Sequence, residues 1–307
     1  MNRFVTLMKR EWLQHRIGWL VLMVLPTLIT LGLGLLDGNG MHVQVDGDGT
    51  NLPPLAQLPI PLQTLGWVAA TSVLAFVLAM LSVLSQMAGV ARRDVQDRSV
   101  EFWRSLPVGD GQAVGATLLM LLLVLPGLTI VAGAVGAILV GALSISLHHG
   151  FSAWLLQPWW IVAPGMVLFV LRSLLGLLLA MAWLSPLILL TMAASAWLKR
   201  WAIPVVVAST VAGVQLADRY LPVPIFQPVL KRLSTEALEA VISSHTLRGM
   251  HFESPAEMAA ALPGLSAGLL ADAGHVLAST ATPAFAAALA GAALGFWLMV
   301  LRRQRAG

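Results

Sequence analysis

The chain has 307 residues, 58% of them hydrophobic and only 10% charged, with a mean hydropathy of +0.84 and a formal net charge of +4. Several apolar runs reach about 20 residues, the length that crosses a hydrocarbon core of about 30 Å at about 1.5 Å per residue, so a polytopic membrane protein is expected. The absence of cysteine excludes disulfides, thiolate catalysis, zinc knuckles and Fe–S ligation, and Lys9, Lys199 and Lys231, the only lysines, follow no glycine-rich loop, which excludes a P-loop.

In chain order, windows of about 19 residues place apolar segments near 17–36, 64–87, 113–143, 160–198, 202–217 and 281–301. Ahead of the first lies NRFVTLMKREWLQHR, charged and partly amphipathic, and the run that follows lacks a small-residue cleavage site, so it reads as a retained span and not a signal peptide. The loop 37–63 combines a short strand pattern, MHVQV, with DGDGTNLPP. Asp46 and Asp48 invite a calcium reading, but Asn51 stands where such a loop needs glycine and Gln57 where it needs glutamate, so a solvated turn is expected.

The segment 160–198 is long for one straight span and holds Pro164 and Pro186, which leaves one broken helix and two segments both open. Charge bookkeeping favours one. With six spans and a cytoplasmic N-terminus, 13 of the 18 basic residues fall inside, from Arg3, Lys9, Arg10 and Arg16 to Arg302, Arg303 and Arg305, and the outer loops 37–63 and 144–159 contain none. A seventh span would put Lys199 and Arg200 outside. Both termini are therefore expected inside.

Segment 218–280 reads as two or three short helices forming a small cap on the outer face. LSTEALEAVISS has Leu233, Ala237, Ala240 and Val241 at helical spacing, and SPAEMAAALPG opens with Ser254, Pro255 and Glu257 at N-cap, N1 and N3. Six of the seven histidines (His42, His148, His149, His245, His251, His275) lie outside, with no ligand spacing and no adjacent acidic partner, so no metal site is expected.

Within the spans Arg172 is the ionisable exception, a functional hypothesis weighed against snorkelling or pairing with a loop carboxylate. Gln86 and Gln215 are candidates for a pathway or for helix packing. Gly133, Gly136 and Ala137 suggest close helix contact, including a dimer surface. No carboxylate is expected at mid-depth, and there is no HExxH, no intramembrane glycyl-aspartate and no serine with a base. Energy must then come from a partner.

Between the second and third spans stands RRDVQDRSVEFWRSLPVGD, 92–110, with eight formal charges. After Asp97 as N-cap, a short helix runs to Pro107, and Ser99, Phe102, Trp103 and Leu106 at i, i+3, i+4 and i+7 give it an aromatic ridge, with Arg98, Glu101 and Arg104 around it. Such a ridge suits a docking surface, and equally an interfacial helix on lipid.

This string is similar to the segment DRRDRSILFWKSLPVSD of bacterial ABC-2 type transporter permeases, and it occupies the same place between spans. MKREWLQHRIGW resembles their amphipathic elbow helix, and SPLILLTMAASAWLKR their fourth-span region. Glu101 departs from the family's usual leucine, and Gly109 and Gly111 flank Asp110.

The resemblance implies an all-α, six-helix membrane subunit of the bacterial cytoplasmic (inner) membrane. It pairs with a second permease, the same or homologous, and binds two cytoplasmic ABC ATPase subunits that hold ATP and Mg2+. The permease itself binds no cofactor, has no enzyme activity and contacts membrane lipids but no nucleic acid. Asp97, Arg98, Ser99, Glu101, Phe102, Trp103, Arg104, Leu106 and Pro107 become the coupling helix. Lys9, Arg10, Glu11, Trp12, His15 and Arg16 become the interfacial elbow. The alternatives are an autonomous secondary transporter or channel, and a membrane-bound scaffold or enzyme with its active part in 218–280.

Overall fold

The structure, a computed structural model, describes residues 3–36, 58–96, 109–198, 201–217, 220, 226–242, 257 and 260–305. The described residues are helical and contain no strand. In a medium without water every backbone N–H and C=O must be met within its own segment, and these apolar stretches do so as helices.

The main elements are α1 (Arg3–Leu36), α2 (Ile60–Gln96), α3 (Asp110–His149), α4 (Phe151–Leu155), α5 (Trp159–Leu198), α6 (Ala202–Ala212), α7 (Phe226–Val241), α8 (Leu265–Ser279) and α9 (Pro283–Arg305). Helices α1, α2, α3, α5 and α9 are long and apolar enough to cross a membrane, so the chain is a multi-pass membrane protein. Helix α6, with the π turn Gly213–Ala217 after it, spans 202–217. These 16 residues rise about 24 Å, less than the hydrocarbon core of about 30 Å.

The segment 160–198 is one helix: α5 runs for 40 residues through Pro164 and Pro186. It is packed over most of its length, with α2 and α3 on one side, α7 and α8 on another, and α9 along its C-terminal half. Such neighbours hold a proline-containing helix together where proline removes one backbone bond. In α3 the interruption is a π turn, Met120–Val124, just before Pro126, where Leu125 N–H donates to Met120 O. That five-residue step loosens the turn the proline ring would otherwise crowd. Helix α3 ends at Gly150, whose φ of 86° suits glycine and whose N–H closes on Ser146 O.

Close approach rests on small residues. A Cβ on Gly133 would come within 2.9 Å of Ala75 on α2, and one on Gly136 would collide with Thr27 on α1. These glycines thus serve contacts within the chain. On α9, Gly291 and Gly295 face α5, and a Cβ on Gly295 would lie 2.9 Å from the Leu189 main chain.

The packing fixes which ends meet. Thr117 near the start of α3 lies against Glu11 of α1, and Asp110 against Arg303 at the end of α9. At the opposite end Gln63 of α2 meets His149 of α3. Segment 218–280 contributes α7 and α8, which lie along the flank of α5 and bury Leu233, Ala237, Ala240 and Val276 against Leu179, Ala180 and Trp183. The MHVQV strand, the Asp46–Asp48 turn and the Ser254–Pro255 cap lie outside the described residues.

Candidate functional site

The segment Asp97–Pro107, expected to be the coupling helix, lies outside the described residues, as do the side chains of the last turns of α2 from residue 88 on. What the structure describes are the elements bracketing it: α2 runs to Gln96 and α3 starts at Asp110. Arg303 Nε stands 3.0 Å from Asp110 Oδ1 as an ion pair. Next to that pair, Arg302 donates to Ala196 O at 3.3 Å, and the guanidinium groups of Arg302 and Arg305 stand 5.6 and 5.7 Å from the centre of the Trp197 ring. The described edge of the segment is therefore tied to the C-terminal ends of α5 and α9, with cation–π contacts adding to the ion pair.

The elbow residues take a form different from the expected separate helix. Lys9 to Arg16 form part of α1 itself, which continues unbroken through Gly18 to Leu36. Leu7, Glu11, His15 and Trp19 follow one another at i+4 and turn toward α3; Leu7, Glu11 and Trp19 are buried, while Lys9 and Arg16 stay exposed. Thr117 Oγ1 donates to Glu11 Oε1 at 3.1 Å. Glu11, His15, Gln86 and Thr117 line one small cleft with Trp19, Met120, Leu121 and Leu125, with room for about one water molecule. Gln86, chosen from sequence as a pathway or packing residue, donates to Ser82 Oγ at 2.8 Å. Gln215 is exposed on the π turn after α6.

Arg172 occupies the most constructed polar position. It is 8% exposed, the fourteenth residue of the 40 in α5, and surrounded by apolar helix. Its Nε donates to Asp272 Oδ2 of α8 at 2.6 Å and its Nη1 to Ala240 O of α7 at 2.7 Å. Ala240 sits in the last turn of α7, where carbonyls lack helical partners and carry the negative end of the dipole. One turn along α5, Gly176 leaves space for that carbonyl: a Cβ there would lie 2.6 Å from Ala240 O. One arginine thus caps one helix and pairs with the carboxylate of another.

Asp272 was not legible as a site residue, because its partner is 100 positions away in sequence and its own surroundings read as an outer helix. At the other end of the bundle, Gln63 donates to Leu58 O at 2.7 Å and meets His149 Nε2 at 3.1 Å, while Thr64 donates to Gln157 Oε1 at 2.9 Å. These bonds join α2 to the α3–α5 connection. Among the described residues no three His, Asp or Glu side chains come together as a metal site. No protein family, no curated protein and no solved structure matches this chain.

Proposed function

We propose that this chain is the permease subunit of an ABC-2 type exporter in the bacterial inner membrane, worked by two cytoplasmic ATPase subunits and paired with a second permease. The observation that carries this reading is DRSVEFWRSLPV at 97–108, an aromatic and basic segment joining two long apolar helices. Aromatic anchors set among charges suit docking to a soluble partner. The lack of a P-loop agrees with an engine housed in that partner.

Six crossings with both termini inside belong to the same reading. Trp197 at the end of α5 and Arg302 at the end of α9 are neighbours, whereas Gly165 near the start of α5 faces Leu265 at the start of α8. On this reading the chain travels the length of α5 once more between Leu198 and Leu265, with the apolar helix α6 at the start of that path. Arginines in the last turn of α9 match the positive-inside rule.

The test is co-expression with an ABC ATPase encoded beside the permease. The permease and ATPase should purify together, and Phe102→Ala with Trp103→Ala should reduce co-purification or ATP-dependent transport by about tenfold or more, as loss of two interface anchors does. Full assembly and coupling in that double variant would remove these residues from the docking surface. The buried Arg172–Asp272 pair favours a second reading, an ion-coupled transporter working alone. Transport by the purified chain in liposomes, driven by an ion gradient without ATPase, would establish that reading in place of the first.

A further inference from the structure

We propose that α7 and α8 form a lid over the middle of α5, latched by Arg172 and hinged at the turn Thr280–Thr282. The face of α5 beneath the lid carries Arg172, Gly176, Leu179 and Trp183, at i, i+4, i+7 and i+11, on one side of the helix. Arg172 and Gly176 together form the seat of the latch, the first supplying donors to Asp272 and Ala240 O, the second leaving space for the α7 end. The rest of the contact is an apolar seam in which Leu233, Ala237, Ala240 and Val276 meet Leu179, Ala180 and Trp183.

The outer side of α7 is polar, with Lys231, Arg232 and Glu236 among its charges and Arg232 and Glu236 paired at 3.8 Å. Beneath the lid two buried donors, Arg172 Nη2 and Trp183 Nε1, have no hydrogen-bond partner among the described residues. Closure thus joins this apolar seam to one polar latch while leaving polar groups unmet, and opening would let both find acceptors. At the hinge α8 stops after Ser279, Thr282 caps α9 by accepting from Phe285 N–H at 3.4 Å, and Pro283 begins the new helix. Phe285 rests edge-on against Trp183 with ring centres 5.0 Å apart, which fixes α9 at the foot of the lid.

The natural absence of cysteine makes the test direct, and it needs no ATPase, so its outcome is independent of the permease reading. In the full-length protein, a cysteine at Ala237, under the lid, and one at Val68, in the α2–α3 core, are each labelled with N-ethylmaleimide. Asp272→Asn removes the ion pair at constant shape, and Gly176→Ala presses on the Ala240 carbonyl with all charges intact. Each should speed labelling of A237C by about tenfold and leave V68C within about twofold, the pattern of a local opening. Unchanged A237C labelling in both variants, or an equal rise at V68C, would overturn the lid. So would A237C labelling as fast as a cysteine at exposed Ser234 in the otherwise unchanged protein. Should D272N fail to purify as a single species, G176A decides.

Discussion

Arg172 makes the case at the scale of a residue. A guanidinium inside an apolar helix is tolerated when it is paired and hydrogen-bonded, and here it has both a carboxylate and a helix-end carbonyl. Removing one member of a buried pair costs about 3–5 kcal/mol, chiefly because the other charge is stranded, whereas replacing both with apolar residues of similar volume is close to neutral. Arg172→Met and Asp272→Leu singly should therefore each lower the melting midpoint of the purified protein, with α7 and α8 becoming the first protease-sensitive elements. The double variant should melt within a few degrees of the parent. If the double variant instead showed the sum of the two losses, Arg172 and Asp272 would not be acting as a pair. Only one half of this arrangement could be read in advance: an arginine in an apolar run announces itself, but its carboxylate lies in a segment whose own pattern says nothing of where it packs.

At the scale of elements, what was legible followed from length and period. The long apolar runs became α1, α2, α3, α5 and α9, and the helical spacing of Leu233, Ala237 and Ala240 became the buried face of α7. Continuity was harder to read. Nothing in the sequence says that α1 should pass straight from its polar half into its apolar half, or that α5 should survive two prolines, because both depend on neighbours packed alongside. Glycine spacing was legible as closeness but not as partner: Gly133 and Gly136 could serve a contact between copies or one within the chain, and they lie against α2 and α1. The pair Gly291 and Gly295 places α9 against Pro186 and Leu189 of α5 in the same manner. Gly295→Leu should force those helices apart and destabilise by about 1–3 kcal/mol, the usual cost of overpacking a tight contact. Gly18→Leu, at a position with open space around it, is the matched control and should leave the thermal midpoint unchanged. Equal losses in the two variants would mean that α9 does not depend on that crossing.

For the whole molecule, the arrangement of helix ends restricts the topology more tightly than hydropathy does. The polar half of α1, the start of α3 and the ends of α5 and α9 gather at one end of the bundle through Glu11–Thr117, Asp110–Arg303 and Arg302–Trp197. The start of α2 and the end of α3 meet at the other through Gln63 and His149. On the proposed topology the crossings are even in number, so the five long helices would be joined by one further passage in the stretch from α6 to α8. On the same reading, the positive-inside rule applied to Arg302, Arg303 and Arg305 places the shared end of α1 and α9 in the cytoplasm. Alkaline phosphatase, which is active only outside the cytoplasm, should accordingly be active when fused after His149 or Ile242 and silent when fused after Gly109 or at the C-terminus. A green fluorescent protein at the C-terminus, fluorescent when retained inside, should give the reciprocal result. Phosphatase activity at the C-terminus would leave an odd number of crossings and separate the two ends that Asp110 and Arg303 bring together, so this one fusion tests the bundle and the docking topology at once.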